Sequence, residues 1–112
     1  MKQFEIWTAD LNPKIGTEPG KIRPVLILQT DLLNVIHPST IICPITTHVI
    51  KETEILRVHI KKGIAGLQKP SDIMIDQIRA IDNLRFIKKI AVLPADLRKI
   101  VNDNLKIILD LE

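Results

Sequence analysis

The sequence predicts an α+β domain: a small, strongly curved, mainly antiparallel sheet or barrel of about five strands, with a C-terminal amphipathic helix packed on it. Short runs of β-branched and apolar residues, each too brief for a helix, recur from Phe4 to Arg79. Only after Pro94 does the apolar spacing change to i, i+3, i+4. No regular βαβ alternation joins the two patterns, so the strands come first and the helix last. With 112 residues and no internal repeat, low-complexity tract or linker, residues 1–112 form a single domain.

Phe4 to Asp10 is rich in strand formers, and Pro24 to Thr30 (PVLILQT) is a nearly continuous apolar run that predicts a strand buried on both faces. Thr40 to Thr46 (TIICPIT) predicts a third strand, in which Pro44 marks an edge, bulge or bend because it has no amide hydrogen for the ladder. Glu54 to Ile60 alternates, with Ile55, Arg57 and His59 on one face and Leu56, Val58 and Ile60 on the other. Ile73 to Arg79 is the fifth extended segment, and a short helical turn is possible after Asp82. Leu97, Ile100, Val101, Leu105, Ile108 and Leu109 line one face of the final helix, and Asp96 suits its positive end.

Composition limits the chemistry. The chain is 46% apolar and 26% charged, which argues against disorder. Aromatics are only 3% (Phe4, Trp7, Phe86), so nucleic-acid binding would depend on charge and not on stacked rings. A net charge of +3 is compatible with a polyanionic partner. The single cysteine, Cys43, has no disulfide partner and follows Ile41 and Ile42, which reads as buried core in a protein of a reducing compartment, the cytoplasm. The N-terminus has no apolar h-region, and no stretch is long and apolar enough to span a bilayer. His37, His48 and His59 are too widely spaced for a local metal motif, and no phosphate-loop pattern is present, so neither metal nor nucleotide cofactor is expected.

Two glycine- and proline-bearing connections are the candidate functional loops. Leu11 to Arg23 (LNPKIGTEPGKIR) carries Lys14, Glu18, Lys21 and Arg23, and places Arg23 where a rigid strand begins. Lys61 to Asp72 (KKGIAGLQKPSD) carries Lys61, Lys62 and Lys69. Both are expected to border one cleft.

Three segments then become specific in combination: GTEPGKIRPVLILQ, ICPIT and IMIDQIRAID, followed by the amphipathic helix. The first supplies Gly16, Glu18, Gly20, Arg23 and Pro24; the second Pro44, Ile45 and Thr46; the third Asp76, Gln77, Arg79, Ile81 and Asp82. In this order and spacing the chain resembles the MazF/PemK family of toxin endoribonucleases over almost its whole length. The resemblance implies the curved sheet or SH3-like barrel already expected. It also implies a metal-independent, sequence-specific ribonuclease acting on single-stranded RNA, in which the ribose 2′-hydroxyl attacks the adjacent phosphate. The products would be 2′,3′-cyclic phosphate and 5′-hydroxyl ends. Homodimerisation and neutralisation by an acidic, flexible antitoxin are implied with it.

Carried onto this sequence, the family pattern makes Arg23 the group that holds the phosphate, since a guanidinium engages two oxygens at once. Thr46 becomes a hydroxyl donor to the same phosphate, and Asp76 a base if it is buried. Glu18 and Gln77 become organisers or base readers; Thr17 and Thr47 are taken as further RNA contacts, and the loop lysines Lys14, Lys21 and Lys69 as RNA contacts on account of their charge. PemK-type members carry a histidine and an arginine where this chain has Thr17 and Met74, so a mechanism using those two side chains is closed to it. Pro19 stands where glutamine is common, which bears on the first loop and on base preference.

Each residue also has a structural reading. Arg23 could pair with Glu18 or Asp76, Thr46 is an ordinary strand-end residue, Asp76 could accept from a loop amide, Arg79 and Asp82 could pair with each other, Met74 packs in the core, and His48 is an exposed loop residue. Two other functions compete with the ribonuclease: a non-enzymatic toxin of the gyrase-poisoning CcdB type, and a catalytically silent module that binds RNA or antitoxin.

Overall fold

The computed structural model describes residues 1–18, 20–53 and 55–112; Pro19, and Glu54 at the start of the fourth predicted strand, lie outside the described residues. The elements are β1 (Glu5–Asp10), β2 (Ile22–Ile27), β3 (Ser39–Thr46), β4 (Arg57–Ile60), β5 (Ser71–Met74), β6 (Arg79–Asp82), β7 (Phe86–Val92) and α1 (Ala95–Ile108). They form one antiparallel sheet in the order β4-β5-β3-β2-β1-β7, with β6 also on β3. The α+β class and the terminal helix are as predicted. Two points differ: there are seven strands where about five were expected, and the sheet is open, not a closed barrel. Its two ends are bridged by packing, since the loop after β4 brings Gly66 so close to β7 that a Cβ there would lie 2.7 Å from Ile90 Cγ2.

The fifth predicted strand, Ile73 to Arg79, is split. Its apolar start belongs to β5, a 3-10 turn covers Ile75–Gln77, and Arg79 opens β6. The short turn foreseen after Asp82 is the 3-10 segment Asn83–Arg85, where the Asp82 carboxylate accepts from Leu84 N–H at 2.8 Å. Arg79 does not pair with Asp82 as expected; its Nη1 meets Glu18 Oε2 at 3.3 Å.

Strand β2 is buried on both faces because its alternate residues enter two different cores. Leu26 joins Ile6, Cys43, Ile45, Ile73 and Val101 beneath the helix, where Leu97, Leu105 and Ile108 cover them. Val25 and Ile27 join Ala9, Leu11, Ile42 and Ile81 on the other side, with Trp7 and Phe86 against them. The two rings meet edge to face at 5.9 Å between centroids. Burying each of these large side chains contributes roughly 1.5–3 kcal/mol.

Strand β3 carries the topology. Its first half pairs with β6, from Ser39↔Asp82 to Ile42↔Arg79, and its last two residues pair with β5, as Ile45↔Ile73 and Thr46↔Asp72. Pro44 sits at the changeover, still opposite Val25 of β2. The predicted irregularity at Pro44 is thus the point where the strand exchanges neighbours, and a residue without an amide hydrogen has no donor to lose there.

The helix begins after Pro94, with Asp96 in its first turn and Lys106 in its last, both matched to the dipole. Arg98 fastens its start: Nε donates to Leu93 O at 2.6 Å, and the guanidinium lies 5.6 Å from the Phe4 ring centroid. No helix among the described residues is long and apolar enough to cross a membrane.

Glu5 ties the N-terminus to β1 and β7. Its carboxylate accepts from Lys2 N–H at 2.9 Å and Trp7 Nε1 at 3.0 Å, and pairs with Lys89 Nζ at 2.9 Å. Burial raises the Glu5 pKa, but the bonds from Lys89, Trp7 and Lys2 outweigh it and hold the group down from 4.5 to about 2. A carboxyl whose folded pKa is depressed stabilises the fold fully above its unfolded value and loses that contribution as the pH falls through the folded one. Denaturant titrations between pH 4.5 and about 2 should therefore show a smaller fall in stability for Glu5→Gln than for the wild type, and equal falls would contradict the linkage. Cys43 is fully buried, and burial, reinforced by the Asp76 carboxylate, pushes its thiol up to about 12. Native protein should resist alkylation at mildly alkaline pH and react promptly once unfolded; rapid native reaction would contradict this.

Candidate functional site

The first loop folds back on itself to deliver Arg23. Asn12 Oδ1 accepts from Lys21 N–H at 2.7 Å, and Leu11 N–H donates to Lys21 O at 2.8 Å. Lys21 adopts φ 69°, a left-handed conformation uncommon for a side-chain-bearing residue. Gly20 is buried so tightly that a Cβ would lie 2.7 Å from Lys14 Cβ. Only glycine fits this approach, and it leaves the Gly20 carbonyl free to accept from Arg23 Nε at 2.9 Å.

Arg23 is therefore held by a backbone oxygen, not by Glu18 or Asp76. Among the described residues, no carboxylate pairs with its two Nη groups. Burial lowers its pKa from the ordinary value, yet a guanidinium keeps its charge in proteins. A half-buried cation with its fork unpaired by protein carboxylates is a strong anion-binding group.

Around it lies an open hollow of about 400 Å³ bordered by Lys14, Thr17, Glu18, Lys21 and Met74. These include most of the first-loop residues singled out in the sequence. Glu18, tied to Arg79, fastens the loop to the start of β6. Met74 is buried as expected and forms part of the hollow's wall.

A second, larger hollow of about 540 Å³ holds Thr46, Thr47 and Lys69. Pro24, Ile45, Leu67 and Ile90 give it an apolar floor, while Thr8, Lys88 and Lys89 complete its rim. The two candidate loops thus border two hollows instead of one. They adjoin where Arg23 lines one and Pro24 the other. The β2–β3 pairing runs from Ile27↔Ile42 to Val25↔Pro44, and Arg23 and Thr46 each lie two residues beyond its last pair. Thr46 Oγ1 accepts from His48 N–H at 3.1 Å, which leaves its own hydroxyl proton available to a ligand.

Asp76 and Gln77 line neither hollow. Asp76 is exposed on the Ile75–Gln77 turn, which removes the burial on which its reading as a base depended. Gln77 is half-buried on the same turn. His48 is exposed, as anticipated. Lys88, Lys89 and Thr8 were not foreseen. The lysine pair in FIKKIAV was the available signal, because lysines commonly occupy the exposed face of a sheet edge.

The arrangement is a basic double hollow with one half-buried guanidinium and several hydroxyls, suited to a phosphodiester chain. Comparison with known proteins supplies the family and the fold. Residues 2–109 match the sequence profile of the family described as PemK-like, MazF-like toxin of type II toxin-antitoxin system. Endoribonuclease EndoA of Bacillus subtilis is 35% identical over 111 residues, covering 99% of this chain and 96% of that protein. Endoribonuclease MazF of Staphylococcus saprophyticus is 37% identical over 111 residues, covering 99% and 92%. MazF of Deinococcus radiodurans, at 22% identity, superposes with a TM-score of 0.84 over 98% of this chain and 96% of its own. In its complex with MazE the TM-score is 0.80, over 100% and 97%. The structural likeness speaks for the fold, and the sequence matches for the family: this chain belongs to the PemK-like, MazF-like toxins of type II toxin-antitoxin systems.

Proposed function

We propose that the chain is the toxin of such a pair and acts as a sequence-specific endoribonuclease on single-stranded mRNA, without a metal ion. The observation that carries this reading is Arg23: a half-buried guanidinium anchored through Nε to Gly20 O, unpaired with any described carboxylate and opening onto a hollow with two lysines. The ribose 2′-oxygen attacks phosphorus, the bond to the 5′-oxygen breaks, the 2′-hydroxyl gives up its proton and the departing oxygen gains one. The ends are a 2′,3′-cyclic phosphate and a 5′-hydroxyl. Negative charge gathers on the non-bridging oxygens, where the Arg23 fork and the Thr46 hydroxyl stabilise it most in the transition state.

Lys14, Lys21 and Lys69, with Lys88, hold the flanking phosphates, while Thr17, Glu18, Thr47 and Gln77 contact the bases or the backbone near them. Asp76, exposed on the Ile75–Gln77 turn and lining neither hollow, has no part in the proton transfers in this reading. Because MazF of Deinococcus radiodurans is known in complex with MazE, an acidic, flexible antitoxin is the expected protein partner, drawn to the same lysines. A homodimer working in the cytoplasm completes the reading.

Purified protein with a long unstructured RNA in EDTA should release fragments ending in cyclic phosphate. Arg23→Ala should slow this by roughly 100-fold or more. Intact RNA with folded wild-type protein, or unimpaired cleavage by the variant, would overturn the proposal. Gly20→Ala forces Lys14 and the loop to move, and the Gly20 carbonyl with them. It should slow cleavage at least about tenfold, and a wild-type rate would show that this anchor does not matter.

A further inference from the structure

One buried polar cluster lies outside both hollows yet adjoins Thr46. Asp72 on β5 is fully buried and pairs in register with Thr46 on one side and His59 of β4 on the other. Both carboxylate oxygens are used. Oδ1 meets His59 Nδ1 at 2.5 Å; Oδ2 accepts from Ile50 N–H at 2.9 Å and from Arg57 Nη1 at 3.3 Å. A buried carboxylate is costly without such partners, so the segments that supply them are held to it.

Two of those ties control the chain just beyond Thr46. Ile50 is fixed through its amide. His48 is fixed at both ends: its carbonyl accepts from Arg57 Nη1 at 2.9 Å, and its N–H donates to Thr46 Oγ1 at 3.1 Å. An unbroken path thus runs from Asp72 to Arg57, to the His48 peptide, to the Thr46 hydroxyl. Because that oxygen's lone pair is engaged by His48 N–H, the direction left for its proton depends on where His48 is held. Thr47, between them, faces the larger hollow.

We infer that Asp72 and Arg57 are positioning residues of the catalytic site: they hold the Thr46–Ile50 segment so that the Thr46 hydroxyl points at the RNA phosphate. This rests on the reading of Thr46 as a phosphate donor. The motifs drew attention to neither residue, since Asp72 lies in the tail of a loop and Arg57 in an alternating strand.

The test uses the full chain, with Asp72→Asn and, because a buried position is changed there, Arg57→Gln as a second variant that cuts the His48 tie while leaving Ile50 and His59 on Asp72. Hydrogen exchange in the free protein reads the positioning without RNA. The His48 amide should exchange at least about tenfold faster in both variants while those of Val25 and Leu26 keep their protection. Under single turnover the cleavage step should slow by about tenfold to 100-fold, with KM within about threefold. In a Thr46→Val background neither variant should slow it further, because the path then has nothing to aim. Unchanged His48 exchange overturns the inference even if the wild type cuts no RNA, a failure seen separately as a failure of the ribonuclease reading. With an active wild type, an undiminished rate, or an equal loss with and without Thr46, overturns it as well.

Discussion

Strand β3 exchanges one neighbour for another at Pro44, and the arrangement of the site follows from that exchange. Before Pro44 the strand is the middle of a three-strand unit with β2 and β6; beyond it, β5 takes over. A strand that changes partner interrupts one ladder before starting the next, and an amide hydrogen at the interruption would need another acceptor. Proline removes that demand. The short segment Ile75–Gln77 fills the gap between the two partners as a 3-10 turn. The result is a lateral shift that places β5, with Asp72 and Met74, beside Thr46, on the far side of β3 from the strand that carries Arg23.

The same geometry separates two requirements of an anion site. Rigidity comes from β2, whose residues Val25, Leu26 and Ile27 are all fully buried. Charge comes from the strand's first turn of chain, where burial is partial and the guanidinium still reaches solvent. Holding Arg23 through a neutral carbonyl instead of a carboxylate matters electrostatically, because a carboxylate partner would neutralise the fork that a phosphate needs. Glu18, which borders the same hollow, is committed to Arg79.

Strands β1, β2 and β3 and the helix were legible in the sequence because each has a one-sided or fully buried pattern that local periodicity reports. Strand β7 was not. It pairs with β1 through register shifts between Ile6 and Trp7 and between Thr8 and Ala9, and such irregularities break the alternation by which a strand is recognised. Strand β6 has four residues, of which Ala80 and Asp82 are exposed, and carries too little apolar signal to be separated from β5. The site shows the same division. Arg23 and Thr46 stand in segments whose order and spacing are distinctive. Lys88 and Lys89 were missed with the strand that bears them. Asp76 matched a motif whose burial could not be read, and Asp72 emerged only through its hydrogen-bond partners.

Arg23 works as a fork held in place, not simply as a positive charge. Substitution by lysine keeps the charge but removes both the paired Nη groups and the Nε donor to Gly20, so single-turnover cleavage of one RNA by wild type, Arg23→Lys and Arg23→Ala in EDTA tests it most directly. The lysine variant should fall most of the way to the alanine variant, well over about tenfold below wild type. A lysine variant that cleaves at the wild-type rate would show that charge alone suffices and that the anchored fork does not matter.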